Sequence, residues 1–334
     1  MKFLVRVPNW VGDCLLAIPA LDSLRRNHPG SEIWLLARDW ARDLFPPKKL
    51  VAGVIPLAGR ESLGDLWRTA RQLRPARFDA GLLLTNSLGS ALMFALAGIP
   101  ERWGYRREGR GFLLTRGVLF DENGPRRHQL EYYLDLIRGL GMTPAPPEVR
   151  LSLTALEKRA AGAALEAMGV DLARPVVILS PGASYGPAKR WPAERFAALG
   201  ALFQKKDRAE IVLTGTADER GLAEKVASLL PRRAAVLAGL TDLRRLLSVM
   251  SRAALVVTND SGPMHLANAL RVPVAAVFGP TDPAATRPYH QPSVVLKKGA
   301  ACWPCLYRQC PYDHRCMTAV SPEEVYAAGR GFLS

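Results

Sequence analysis

Residues 254–280, ALVVTNDSGPMHLANALRVPVAAVFGP, decide how this chain folds. Two short apolar runs, one ending at Thr258 and one spanning Val274–Phe278, are rich in valine and bounded by turn residues, which reads as two buried strands. Between them lies the helix-like MHLANALR. Pro263 stands just ahead of it, at a first helical position where proline costs no hydrogen bond. Strand, helix and strand in this order make one unit of a parallel sheet with helices on its faces. The turn 258–262, TNDSG, joins the first strand to the helix. With Ser261 and Gly262 at the helix start, exposed N–H groups form a ready anion site. His265, in the first helical turn, reads either as a phosphate contact or as a core histidine, and Asp260 either as a binding carboxylate or as a helix cap. Their coincidence in one turn favours a nucleotide diphosphate.

The same alternation runs outward in both directions. Upstream in the second half are PVVILSPG (175–182), EIVLTGT (210–216) and AAVLAG (234–239), separated by amphipathic stretches such as PAERFAALGALFQ (192–204). The first half repeats it with FLVRV (3–7), EIWLLAR (32–38), VAGVIPL (51–57) and DAGLLLT (79–85). The proline cluster after Gly141 cannot enter a sheet interior and marks a linker. The expected fold is therefore α/β: two doubly wound, Rossmann-like domains, 1–160 and 161–334, facing each other across a cleft.

Three further loops follow expected strands. SPGASYGPAKRWP (180–192) sets Lys189 among glycines, which suits a diphosphate gripped by a point charge and backbone N–H groups. TGTADERGLAE (214–224) offers Asp218 or Glu219 to ribose hydroxyls, or to a helix N-terminus. In VPNWVGD (7–13), Asp13 is either an N-cap or a catalytic carboxylate at the carboxyl end of a strand.

Bulk properties narrow the chemistry. A chain of 334 residues with 49% hydrophobic content is a folded protein of about two domains. The net charge of +15 asks for an anionic partner. Its cations are mostly arginines scattered along the chain, and no nucleic-acid motif is present, so phosphate-bearing small molecules or a lipid surface are favoured over nucleic acid. Arg6 and Pro8 break the apolar start, so no secretory signal is expected, and Asn86, Ser87 and Gly89 break the longest apolar stretch, 80–100, which argues against a membrane span. There is no G-x-G-x-x-G after a strand, no Walker loop and no D-x-D pair.

CWPCLYRQCPYDHRC (302–316) gathers Cys302, Cys305, Cys310 and Cys316 with His314. The C-x-x-C start suits a tetrahedral metal, yet the second spacing departs from a zinc ribbon. A structural zinc, a disulfide staple and reduced packing all stay open. Cys14 stands apart as a small buried residue.

Four stretches, VRVPNWVGDCLLAIPAL (5–21), PGASYGPAKRWP (181–192), TNDSGPMHLANAL (258–270) and FGPTDPAATRP (278–288), together resemble the bacterial lipopolysaccharide heptosyltransferases, in particular the heptosyltransferase II group. The resemblance implies a GT-B fold, with an acceptor-binding N-terminal domain and a nucleotide-sugar-binding C-terminal domain. It implies inverting transfer from ADP-L-glycero-β-D-manno-heptose to the heptosyl-Kdo lipid A inner core, without a metal or other cofactor. Asp13 matches the general base, and Lys189 the phosphate-binding lysine. Glu219 matches the ribose-binding acid, with Asp218 beside it leaving the register open. Asp260, Ser261, Gly262 and His265 match the diphosphate turn. Asn9, Asn86 and Ser87 would face the acceptor, and Arg60 either its acidic groups or solvent. The implied setting is a monomer, peripheral on the cytoplasmic face of the inner membrane. A nucleotide-sugar epimerase, a transferase using another sugar nucleotide and a zinc-stapled nucleic-acid-binding protein are the competing expectations.

Overall fold

The computed structural model describes residues 1–45, 50–57, 59, 62–121 and 127–333. The chain divides into two compact units, Met1–Val149 and Arg150–Ser334. The first carries six parallel strands: β1 (Lys2–Arg6), β2 (Glu32–Ala37), β3 (Gly53–Pro56), β4 (Ala80–Leu83), β5 (Glu101–Tyr105) and β6 (Arg116–Val118). The second carries β7 (Val176–Ser180), β8 (Glu210–Leu213), β9 (Ala235–Val236), β10 (Leu255–Asn259), β11 (Val274–Phe278) and β12 (Ser293–Lys297). The order is β3-β2-β1-β4-β5-β6 in one sheet and β12-β11-β10-β7-β8-β9 in the other. Read from its own first strand, the second sheet repeats the first, and both follow the doubly wound dinucleotide-fold order.

Burial explains which strands were legible. Every residue of β7, β8, β10 and β11 is buried, as in a parallel sheet covered on both faces. β5 and β6 were not anticipated: ERWGY and RGV carry charges and glycine, and Arg116 packs its guanidinium over the Trp103 ring at 4.9 Å. β12, also unanticipated, is an edge strand whose five residues are all only partly buried. The second core gathers Val177, Ile211, Leu255 and Val277 against Phe196 and Phe203 of the helix Ala193–Lys206. Truncating either phenylalanine to alanine would cost about 3–5 kcal/mol.

The division between the units falls at 149/150, earlier than the expected 160/161. Thr154 and Glu157 form a capping box for the helix Ala155–Ala167, and Arg244 of the second unit donates to Glu157 at 2.5 Å. That helix packs on the helix Leu243–Met250, so it belongs wholly to the second unit. Among the described residues, no helix is long and apolar enough to cross a membrane.

Candidate active site

In each sheet the strand order turns back between two central strands, β1 and β4 in the first, β7 and β10 in the second. Connections leaving such a pair run to opposite faces, which opens a crevice at the strands' carboxyl ends. Asn9 and Asp13 follow β1, and Asn86 and Ser87 follow β4. Lys189 follows β7, and Asp260, Ser261, Gly262 and His265 follow β10. Two switch points thus collect most of the residues singled out from sequence. Arg60 lies outside the described residues.

At the first switch point, Asp13 is the third residue of the helix Val11–Leu16 and is half-buried. It is not the N-cap: Trp10 holds that position, with no side-chain cap. The rest of the turn turns inward, with Cys14, Leu15 and Leu16 buried. Burial pushes the Cys14 thiol and the Tyr133 phenol upward, and the Asp13 charge adds to both, so the carboxylate sits close against this packed face. Arg6, at the end of β1, is 1% exposed and donates from Nη2 to Asn9 Oδ1 at 2.8 Å and from Nη1 to the Val7 carbonyl. It thereby sets the turn that presents exposed Asn9 and half-buried Asp13.

A second buried arginine sets the neighbouring turn. Arg110 is fully buried; it donates to the Thr85 carbonyl and, from Nη2, to Asn86 Oδ1 at 3.4 Å. Burial lowers its pKa to about 10. Asn86 also donates to the Tyr132 hydroxyl at 2.9 Å. Ser87 is the N-cap of the helix Leu88–Leu96 and accepts from Ser90 N at 3.3 Å, which leaves its own O–H as a donor for a ligand. Arg6, Arg110 and Tyr132 were not anticipated. Arginine is abundant and scattered in this sequence, and only burial distinguishes these two.

At the second switch point, Lys189 Nζ donates to Asp260 Oδ2 at 2.5 Å and lies 4.7 Å from the Tyr185 ring centroid. Asp260 also accepts from Thr281 Oγ1 at 2.6 Å and Thr286 Oγ1 at 3.2 Å. Asp260 is therefore no helix cap; its carboxylate is spent on a lysine and two hydroxyls. An ammonium has three N–H donors, so Lys189 keeps donors for an anion. Ser261 is the N-cap of the helix Gly262–Ala269, but its hydroxyl pairs with Thr258 Oγ1 at 3.1 Å and makes no cap hydrogen bond. The helix begins one residue before the expected proline, at Gly262, and His265 is 7% exposed within it.

Asn259, unnoticed in the sequence, joins these loops. Its amide donates to the carbonyls of Pro181 and Gly182 at 2.8 and 3.1 Å and accepts from Trp191 N at 2.9 Å. Glu219, after β8, is 9% exposed and accepts from Thr216 N at 3.0 Å in a capping box, whereas Asp218 is exposed. A Cβ at Gly182 would collide with the Glu219 carboxylate, so this glycine admits Glu219 to the strand ends. Gly186, at φ +154°, abuts the Arg308 carbonyl. Its freedom serves the contact with the cysteine segment.

That segment walls the lysine loop. Ala188 N donates to the Arg308 carbonyl at 3.0 Å, Tyr185 Oη to the Leu306 carbonyl at 2.5 Å, and His314 Nε2 pairs with the Ala188 carbonyl at 2.7 Å. All five cysteines are free thiols, so no disulfide staple forms, and Cys14 is buried. Cys302, Cys305, Cys310 and Cys316 line one cavity of about 380 Å³. Among the described residues, no group of three or more His, Cys, Asp or Glu side chains is placed to hold a metal ion. The segment that carries these cysteines packs against the loop carrying Lys189.

Comparison with known proteins bears on the family and the fold. The family model for glycosyltransferase family 9 (heptosyltransferase) matches residues 66–315. Lipopolysaccharide heptosyltransferase 2 of Escherichia coli is 32% identical over 312 residues, covering 89% of this chain and 88% of that protein. The enzyme of the same name from Salmonella typhimurium is 30% identical over 308 residues, with the same coverage. The solved structure of Escherichia coli ADP-heptose LPS heptosyltransferase II, a GT-B protein, superposes with a TM-score of 0.85 at 28% identity, covering all of this chain and 98% of that one. On these grounds the chain is a glycosyltransferase and belongs to glycosyltransferase family 9, the heptosyltransferases.

Proposed function

We propose that this protein transfers a heptose from ADP-L-glycero-β-D-manno-heptose to the heptosyl-Kdo lipid A inner core of lipopolysaccharide, with inversion and without a metal. One observation carries the reading. The two switch points have opposite chemistry, a half-buried carboxylate at the first and a cation beside a helix N-terminus at the second. The first unit holds the acceptor through Asn9, Asn86 and Ser87. The second unit, residues 150–334, holds the donor.

In this mechanism Asp13 takes the proton of the acceptor hydroxyl as its oxygen attacks the anomeric carbon; a neutral alcohol is a weak nucleophile until that proton leaves. The C–O bond to the diphosphate breaks, and ADP departs as an anion needing no protein acid. Lys189 and the N–H groups at Ser261–Gly262 bind the growing charge on the diphosphate. Asp260 is a positioning residue. A carboxylate repels phosphate, and this one, with Thr281 and Thr286, aims the lysine. His265 backs the same turn, and Glu219, the inward acid of the Asp218–Glu219 pair, receives the ribose hydroxyls. The protein acts as a monomer, peripheral on the cytoplasmic membrane face where such an acceptor is built.

The test is incubation with ADP-heptose and heptosyl-Kdo lipid A, followed by mass spectrometry. Addition of one heptose with release of ADP is expected. No product, or isomerisation of the donor without acceptor, would overturn the reading in favour of another sugar nucleotide or an epimerase.

A further inference from the structure

The first unit carries an outward face that no part of its fold explains. The helix Leu63–Leu73 buries Leu66, Ala70 and Leu73 in the core, yet Leu63 is 79% and Trp67 59% exposed beside that buried stripe. Beside it, the helix Leu88–Leu96 exposes Leu88 and Leu96, four residues apart twice over with partly buried Leu92 between them. The two helices pack together: Arg74 Nε donates to the Leu96 carbonyl at 3.1 Å, and Trp67 and Leu96 line one shallow pocket. Arginines edge the apolar surface. Residues 62–77 hold Arg68, Arg71, Arg74 and Arg77 against a single acid, Asp65, which is engaged by Ser62 and Arg68. The Arg71 guanidinium lies 5.5 Å from the Trp67 ring centroid.

Exposed tryptophan and leucine flanked by arginine is the composition of a surface that lies in a membrane interface, apolar groups at the acyl boundary and cations among the phosphates. We propose that the outward face of these two helices docks the protein on an anionic phospholipid bilayer. The inference rests on the reading of the acceptor as a membrane lipid, and it adds the surface that reading lacks. The placement is apt for that purpose: Leu88 directly follows Ser87, so the docking face is continuous with the turn assigned to the acceptor sugar.

The experiment is flotation with vesicles, without donor or acceptor. The unaltered protein should float with phosphatidylcholine vesicles containing about one quarter phosphatidylglycerol and not with phosphatidylcholine alone. Arg71→Glu with Arg74→Glu should weaken that binding by more than about tenfold, and Trp67→Ser severalfold. Lys158→Glu with Arg159→Glu, an equal charge change on the exposed face of a helix in the second unit, should leave it intact. Failure of the unaltered protein to bind anionic vesicles would overturn the proposal. So would equal loss in both double variants, since net charge alone would then explain the binding. Transfer to a delipidated, soluble core oligosaccharide should persist in every variant, which also shows that each is folded. The expected flotation pattern without any transfer would support the docking surface and overturn the enzymatic reading instead.

Discussion

The two switch points of this protein share a strand order and differ in how their turns are held. In the first unit, both turns hang on buried guanidinium groups, Arg6 on Asn9 and Arg110 on Thr85 and Asn86. In the second, a neutral amide, Asn259, ties the loops, and the lysine is balanced by Asp260 and two threonines. The difference teaches how one topology serves two tasks. Under the first turns, buried guanidinium groups hold the backbone that carries Asn9 and Asn86. Under the second, the lysine keeps N–H donors beyond the one given to Asp260, which the proposed mechanism turns toward an incoming diphosphate.

The comparison can be broken at its supports. Arg110→Met should have the largest effect, about 3 kcal/mol in denaturant unfolding, because it strips charged hydrogen bonds from buried carbonyls. It should also weaken acceptor binding and spare ADP binding. Asn259→Ala should cost about 2 kcal/mol and, in contrast, reduce ADP affinity measured by calorimetry. Thr281→Val removes one of three hydrogen bonds to Asp260 and should cost about 1 kcal/mol. If all three variants lowered acceptor and nucleotide affinity alike, the division of labour would fail.

Acid sharpens the contrast further. The Arg244 hydrogen bond holds the Glu157 carboxyl at about 2, below its ordinary 4.5. A depressed carboxyl contributes stability above its unfolded value and loses it as pH falls through the folded one. The second unit should therefore lose stability between pH 4.5 and about 2, and Glu157→Gln should flatten part of that fall in thermal unfolding scans. The smallest effect expected is none: transfer should survive treatment with a strong chelator if, as proposed, Lys189 and a helix N-terminus meet the charge on the diphosphate.

What the sequence reveals follows from where its signals are local. Strands buried on both faces announce themselves as valine-rich runs, and the turns after them can be named because strand ends in this topology face the ligand. Strands β5, β6 and β12 are masked by glycine, charge and edge exposure. Asp13 and Lys189 stand out through their turns. Their supports do not: Arg110 lies far along the chain from Asn86, and nothing in RREGRGF marks which arginine is buried. The glycines around Lys189 were conspicuous in the sequence, and the fold shows two of them in close contacts, Gly182 with Glu219 and Gly186 with the Arg308 backbone. The cysteines were conspicuous too, and the fold gathers Cys302, Cys305, Cys310 and Cys316 around one cavity beside the Lys189 loop.

The most direct test of the account is the Asp13→Asn protein, assayed for heptose transfer and titrated with ADP in the same preparation. Turnover should fall by about 10²–10⁴-fold while ADP affinity stays within about twofold of the parent. Turnover that survives, or ADP affinity that falls along with it, would contradict the assignment of the base to the first switch point and the nucleotide to the second.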